Sequence, residues 1–308
     1  MSLISVVVPL FNEEDNINKF YDSFVNVAKQ IQNDYEVVFV DDGSTDTSLK
    51  IIKELAIKDN KVKYISFSRN FGKEAAIFAG LEQAKGDYVV IADSDGQDPI
   101  ELLPEMEKLI ITGSYDCIAT KRKNRKGEQK IRSFFSNMFY RVFNKISKVK
   151  LENGVRDYRI MTKQMVKAIT ELKEFNRFSK GLFCWVGFKT KYLEFDNIKR
   201  EKGTTKWSIY KLFLYSFEAI TSFSTVPLFI SSLFGILFLF VSLLIAGIYV
   251  FKTLFFGEIV KGFPTLICSI FLIGGIQLFC IGILGQYLAK LYTETKKRPV
   301  YIVKEKKL

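Results

Sequence analysis

The chain has no histidine among its 308 residues. That absence excludes imidazole general bases, nucleophile–histidine pairs and histidine-ligated zinc, and leaves carboxylates, Lys, Arg, Tyr and Cys to carry any chemistry. Cysteine is scarce: Cys117, Cys184, Cys268 and Cys280 are scattered, form no Cys-x-x-Cys pair, and read as buried thiols of a reducing compartment. The first residues lack a charged segment followed by a short apolar core, so a cleaved signal peptide is not expected.

What is present is basic and apolar at once. Lys and Arg number 45 against 33 Asp and Glu, a net charge of +12, in a chain whose mean hydropathy is slightly positive. That combination suits an anionic membrane surface or phosphorylated substrates. Nucleic acid is not expected, because the positive charge lies beside long apolar runs and not in a separate arm.

Three zones differ in composition. Up to about residue 120, β-branched runs at Ile4–Val8, Glu36–Val40, Val62–Ser66, Tyr88–Ala92 and Asp116–Ala119 alternate with helical spacing over Glu14–Gln30 and Asp46–Lys58. Strand–helix alternation predicts an α/β domain with a doubly wound, mostly parallel sheet. The zone from 121 to 218 is basic and aromatic. Its 129–148 stretch carries Ile131, Phe135, Met138, Val142 and Ile146 at helical spacing, widened by Phe134, Phe139 and Phe143 and flanked by Lys and Arg. A basic, aromatic amphipathic helix is expected to lie in a membrane interface, and 208–220 is expected to be a second one. The third zone has no charge from Ala219 to Phe251 or from Gly262 to Ala289. Each run exceeds the roughly 20 residues that cross a bilayer. Transmembrane helices are therefore expected near 226–250 and 264–288.

The expected organisation is a catalytic domain over 1–218, a two-helix anchor over 226–290 and a basic tail over 291–308. From Lys290 onward there are seven basic residues against two acidic ones, while the intervening loop carries only Lys252, Glu258 and Lys261. The Lys/Arg bias places the catalytic domain and both termini on the cytoplasmic side of a multi-pass inner membrane protein.

Polar clusters follow four of the five predicted strands: Pro9–Glu14, Asp41–Asp46, Asp93–Asp98 and Lys121–Arg122. In open α/β sheets ligands bind at the carboxyl ends of strands, so the four clusters describe one crevice. Asp93 and Asp95 leave a strand two residues apart. Bare, they would repel; a divalent cation with a preference for hard oxygen ligands, Mg²⁺ or Mn²⁺, relieves that repulsion and can bridge to a diphosphate. Asp98, next to Pro99, is expected to cap the following helix, and Glu14 to set its charge against a helix dipole.

These segments resemble a known family. Val7–Glu13, Val40–Asp46, Arg69-Asn70-Phe71-Gly72-Lys73 and Ala92–Pro99 are similar to family 2 glycosyltransferases of the GT-A fold, and more narrowly to the polyprenyl-phosphate glycosyltransferases, the dolichyl-phosphate mannosyltransferase-like group. The two apolar C-terminal helices and Arg298-Pro299-Val300-Tyr301 resemble the bacterial bactoprenyl-phosphate glucosyltransferase branch. Ser94 and Gly96 depart mildly from the family pattern.

The resemblance implies that Pro9, Phe11, Asn12, Glu13 and Asp42 line the nucleoside side of a donor pocket. It implies that Asp93, Ser94 and Asp95 face ribose and diphosphate, and that Asp95 and Gln97, with Asp93 beside them, hold the metal. It makes Asp157, in Gly154–Arg159, the acceptor-side residue near the reacting centre, as a base or as an orienting charge; a salt bridge to Arg156 or Arg159 is the alternative. Arg122 and the Arg200–Trp207 loop, with Arg200 and Lys206, are the expected phosphate clamp. The implied reaction is inverting transfer of a hexose, glucose from UDP-glucose as first choice, to undecaprenyl phosphate, by a homo-oligomer. Two rivals are a processive polysaccharide synthase, whose Gln-x-x-Arg-Trp motif is missing, and a non-catalytic nucleotide-binding membrane scaffold, which would have no use for an intact acidic cluster.

Overall fold

The computed structural model describes residues 2–123, 130–196, 209–256 and 262–308. The five expected strands form as β1 (Leu3–Leu10), β2 (Asp34–Asp41), β3 (Val62–Phe67), β4 (Tyr88–Ile91) and β5 (Cys117–Arg122). Between them lie α1 (Ile17–Ala28), α2 (Ser48–Lys58), α3 (Lys73–Gln83) and α4 (Leu103–Ile111). Alternate side chains of a strand point to opposite faces. Val6 and Val8 of β1 accordingly pack with Phe24, Phe39 and Met106 on one face. Val7 packs with Val38, Phe67 and Ala76 on the other. Burial on both faces explains why these strands read as continuous β-branched runs and not as alternating ones.

Three further strands escaped the sequence reading: β6 (Val155–Thr162), β7 (Thr190–Phe195) and β8 (Val303–Lys307). They complete a mixed, mostly parallel sheet of order β7-β5-β6-β4-β1-β2-β3-β8, in which β6 and β8 run antiparallel to their neighbours. The remaining helices are α5 (Lys130–Ile146), α6 (Lys163–Glu171), α7 (Ser179–Trp185), α8 (Ile209–Phe223), α9 (Val226–Phe256) and α10 (Phe263–Thr295). Cys117, at the start of β5, is buried, and burial pushes its thiol up to about 11, as suits an inert core cysteine.

The stretch expected as an interfacial helix is α5, and its apolar residues divide between two faces. Phe143 is buried with Leu151, Phe178 and Ala219, and Phe139 packs beside it. Phe135, Met138 and Val142, at positions i, i+3 and i+7, stay exposed. Helices α9 and α10 are both long and apolar enough to cross a membrane, and their large side chains are exposed, Leu254 at 75% and Phe271 at 76%. Contiguous apolar surface of this extent marks a partner or a bilayer.

The segment expected as a basic tail, 291–308, adds an edge strand to the sheet. Glu294, at the end of α10, accepts the Phe175 and Asn176 N–H groups. Tyr301 stacks on Phe67 and donates to Glu82, and β8 pairs along the β3 edge with Lys53 bound to Glu305.

Candidate active site

Strand register builds the centre of the site. β6 is antiparallel to β4 with Ile91 opposite Arg159, so Asp93, two residues beyond the end of β4, and Asp157, two residues before Arg159, meet at the same sheet edge. Lys73, the first residue of α3, lies between them, its Nζ 2.7 Å from Asp93 and 2.9 Å from Asp157. Lys180 of α7 approaches Asp157 at 3.9 Å from the other side. Burial alone would raise the Asp157 carboxyl, but Lys73 and Lys180 outweigh it and hold the group well below the usual carboxylate range. The salt bridges of Asp157 run to these two lysines and not, as the alternative reading had it, to Arg156 or Arg159; Arg159 donates to the Asp157 backbone carbonyl and stacks on Phe183.

The turn after β4 is held from within. Asp95 accepts the Gln97 N–H at 3.0 Å, and Ser94 is buried. Asp98 does not cap the following helix: its backbone carbonyl takes the Ile100 N–H, while its buried side chain turns inward to accept the Asp93 N–H at 2.8 Å and to pair with Arg156 at 3.3 Å. Burial, reinforced by Asp93, outweighs Arg156 and pushes the Asp98 carboxyl up to about 7. Gln97 Oε1 accepts from Arg156 at 3.2 Å and Arg122 at 3.4 Å. Arg122, at the end of β5, thus reaches the same turn as the acidic pair.

The turn after β2 is tied differently. Asp41 accepts from Ser44 N–H and Ser66 Oγ. Asp42, almost fully buried, accepts the Phe71 and Gly72 N–H groups at 2.6 and 2.9 Å. Burial raises its carboxyl while those N–H groups pull it back. Gly43, at φ +68°, lets the Arg69 backbone approach to where any Cβ would collide with it. Asn12, at φ 53°, receives the Thr45 N–H at 2.8 Å and donates its own N–H to Ser44. Glu13 donates its N–H to Ser48 and binds the Asn16 amide. Pro9 is buried inside β1, and Phe11 beyond it is 38% exposed at the rim. Glu14 does meet a helix N-terminus, but that of α2, through Thr47 N–H and Oγ. Its own helix starts only at Ile17 because Glu13 O first closes the preceding turn.

One edge therefore collects Phe11, Asn12, Glu13, Asp42, Asp93, Ser94, Asp95, Gln97, Arg122 and Asp157. Arg200 and Lys206 lie outside the described residues. Sequence reading missed Lys73 and Lys180. Lys73 closes the Arg69–Lys73 motif, but its partner Asp157 lies 84 residues away, and only the antiparallel β6 brings them together.

The side-chain oxygens of Asp93, Asp95 and Gln97 are a donor set that fits a hard divalent ion. Mg²⁺ commonly takes one or two protein carboxylates and completes its shell with water and phosphate. Among the described residues no three carboxylates or thiols converge into a closed cage, so the set is an open one.

A sequence profile described as glycosyl transferase family 2 matches residues 5–170. A Bacillus subtilis (strain 168) protein named putative glycosyltransferase CsbB is 44% identical over 98% of this chain and 92% of its own length. An Escherichia coli (strain K12) protein named prophage bactoprenol glucosyl transferase homolog is 41% identical over 99% of both chains. A crystal structure of Mycobacterium tuberculosis glucosyl-3-phosphoglycerate synthase, in complex with Mn²⁺, UDP-glucose and phosphoglyceric acid, is 19% identical, with a TM-score of 0.47 over 71% of this chain and 78% of that one.

Proposed function

The chain belongs to glycosyl transferase family 2 and is a glycosyltransferase, and from that premise we propose that it transfers glucose from UDP-glucose to a polyprenyl phosphate, with inversion, at the cytoplasmic face of a membrane. The observation that carries this reading is the Asp93–Lys73–Asp157 bridge, which sets a donor-side turn against an acceptor-side strand. The sugar and the lipid are taken from relatives named bactoprenol glucosyl transferase that match nearly the full chain.

Phe11, with an exposed ring, offers the base a stacking face; Asn12, Glu13 and Asp42 shape the nucleoside side, and Asp93 and Ser94 the ribose and diphosphate side. Asp95, Asp93 and Gln97 would hold Mg²⁺ or Mn²⁺, which when bound neutralises charge on the leaving diphosphate. Arg122 and Arg156, both directed at Gln97 Oε1, supply guanidinium forks to the same phosphates. An acceptor phosphate is already ionised at neutral pH and needs no base. Asp157, kept anionic by two lysines, is a poor proton acceptor; its part is to hold Lys73 and Lys180 where the acceptor phosphate must sit. The phosphate oxygen attacks the anomeric carbon from the face opposite the diphosphate.

In the same proposal, α9 and α10 form a hairpin across the membrane, residues 1–218 are the catalytic domain, and the chain associates as a homo-oligomer. The return of β8 to the sheet supports placing the C-terminus on the catalytic side. Anchoring raises the enzyme's effective concentration at its lipid acceptor.

The test is transfer by the purified full chain. It would be supplied with undecaprenyl phosphate, Mg²⁺ or Mn²⁺ and separate UDP-glucose, UDP-galactose, UDP-N-acetylglucosamine and GDP-mannose, with products read by mass spectrometry. A hexosyl undecaprenyl phosphate from UDP-glucose alone is expected. No product from any donor would leave the nucleotide-binding scaffold as the better reading.

A further inference from the structure

A cavity of about 320 Å³ lies beside the crevice, behind Phe71 and Glu74, where the catalytic domain meets the last turns of α10. Its lining includes neither Asp157 nor any residue of the Asp93–Asp98 turn. That volume is at the lower end of those that hold small ligands. Arg69 from the loop before α3, Arg177 from the loop before α7 and Lys290 from α10 all line it, with Phe71 and Phe178 as aromatic walls.

Two features suggest what such a cavity takes. Arg177 is only 8% exposed, and among the described residues no carboxylate pairs with it. It stacks on Phe78 and donates to the Ile169 and Leu172 carbonyls, yet its buried Nε has no hydrogen-bond partner. A buried polar donor left unmade is costly, and a bound acceptor removes the cost. The second feature is charge. Three cations and two carboxylates, Glu74 and Glu218, line the cavity, while Glu174 and Glu82 act on Arg177 from behind the wall. Glu74 is itself occupied by Ser179 N–H and Oγ, and Lys290 is held at the cavity wall by Glu218 O, Thr221 and Ser222 at 2.6–2.8 Å.

Position narrows the ligand. Lys290 follows directly on the uncharged run that ends at Ala289. If α10 spans the bilayer, as the proposed function holds, the cavity lies at the depth of lipid headgroups. We propose that this cavity binds the singly charged phosphodiester headgroup of an anionic membrane phospholipid, as a site separate from the one that receives the acceptor. Arg forks match phosphate oxygens, and basic pockets at the cytoplasmic ends of membrane helices suit anionic headgroups. Because the α3 loop forms one wall and Lys73 begins α3, an occupied cavity fastens the membrane hairpin to the element that carries the bridging lysine.

The experiment is equilibrium dialysis of labelled dihexanoyl phosphatidylglycerol against the full chain in dodecyl maltoside. Dihexanoyl phosphatidylcholine, inorganic phosphate and undecaprenyl phosphate serve as competitors. Saturable binding near one per chain is expected, with about tenfold or greater loss in Arg69→Gln/Lys290→Gln. Ser222→Phe, which adds bulk at the lining without removing a charge, should weaken binding as much, and both variants should keep wild-type UDP affinity and a cooperative unfolding transition. Unchanged binding in both variants overturns the site. Equal competition by phosphatidylcholine makes it an apolar slot, by inorganic phosphate a free-phosphate site, and by undecaprenyl phosphate the acceptor's own site; each of these also overturns the proposal. Absence of the chain from the membrane fraction, by contrast, counts against the membrane reading on which the headgroup rests.

Discussion

Two acidic turns leave β2 and β4, the strands on either side of β1, at one sheet edge, and their carboxylates are held differently. After β2, Asp41 and Asp42 are bound by a serine hydroxyl and by the N–H groups of Ser44, Phe71 and Gly72. After β4, Asp95 and Asp98 each accept one backbone N–H within the turn, but side-chain cations join them there: Asp93 faces Lys73, Asp98 faces Arg156, and Gln97 faces two guanidiniums. A carboxylate closed by backbone donors fixes loops, because those donors cannot leave without unfolding the turn. One closed by flexible side-chain cations can exchange them for a ligand's phosphates and metal. Similar sequence patterns thus give a turn closed by backbone donors after β2 and one ringed by side-chain cations after β4, the surface the proposed function uses.

Substitutions should separate the two. Asp157→Asn removes the charge that holds Lys73 and Lys180, and is expected to lower kcat about 10²–10³-fold with donor KM little changed, in a steady-state transfer assay. A parallel fall in UDP affinity would move Asp157 to the donor side. Asp42→Ala leaves two backbone donors unmade and should cost about 1–3 kcal/mol by denaturant unfolding in detergent, along with donor affinity. Stability within error of wild type would remove Asp42 from the framework.

The pH dependence of stability sharpens the contrast within the β4 edge itself. Asp98, raised by burial to about 7 from 3.8, keeps its proton in the folded chain where the unfolded chain has lost it. Its contribution is full below about pH 4 and is lost as pH rises through about 7. Asp157, depressed by its lysines, contributes in the opposite sense, present above the ordinary 3.8 and lost as pH falls. Asp98→Asn should therefore flatten the decline of melting temperature between pH 4 and 7. An unchanged slope would assign it elsewhere. The smallest effect belongs to Glu14, whose charge at the α2 N-terminus is worth about 0.3–1 kcal/mol; Glu14→Gln should lower the unfolding free energy by no more than that.

Much of this was legible in the chain. The β-branched runs of β1 to β5 are buried on both faces, so hydrophobic pattern alone located them, and the clusters that follow them did converge. β6 was not legible, because Arg156, Asp157 and Arg159 interrupt its apolar residues and read as a loop motif. β8 was hidden by its lysines, which suit an exposed sheet edge as well as a free tail. Asp98 looked like a cap because Asp-Pro usually precedes a helix; the competing attraction of the Asp93 N–H and Arg156 lay outside that local rule. Lys73 was in view but without a role, since a salt bridge across 84 residues leaves no local trace.

The central claim is that the β4 turn is the reactive one, and Asp95→Asn tests it most directly. Turnover of UDP-glucose onto undecaprenyl phosphate would be measured across a Mg²⁺ titration, beside the variant's melting temperature. The account predicts loss of metal-dependent transfer at every Mg²⁺ concentration with the fold and melting temperature intact. Wild-type turnover with an unchanged Mg²⁺ response would contradict it.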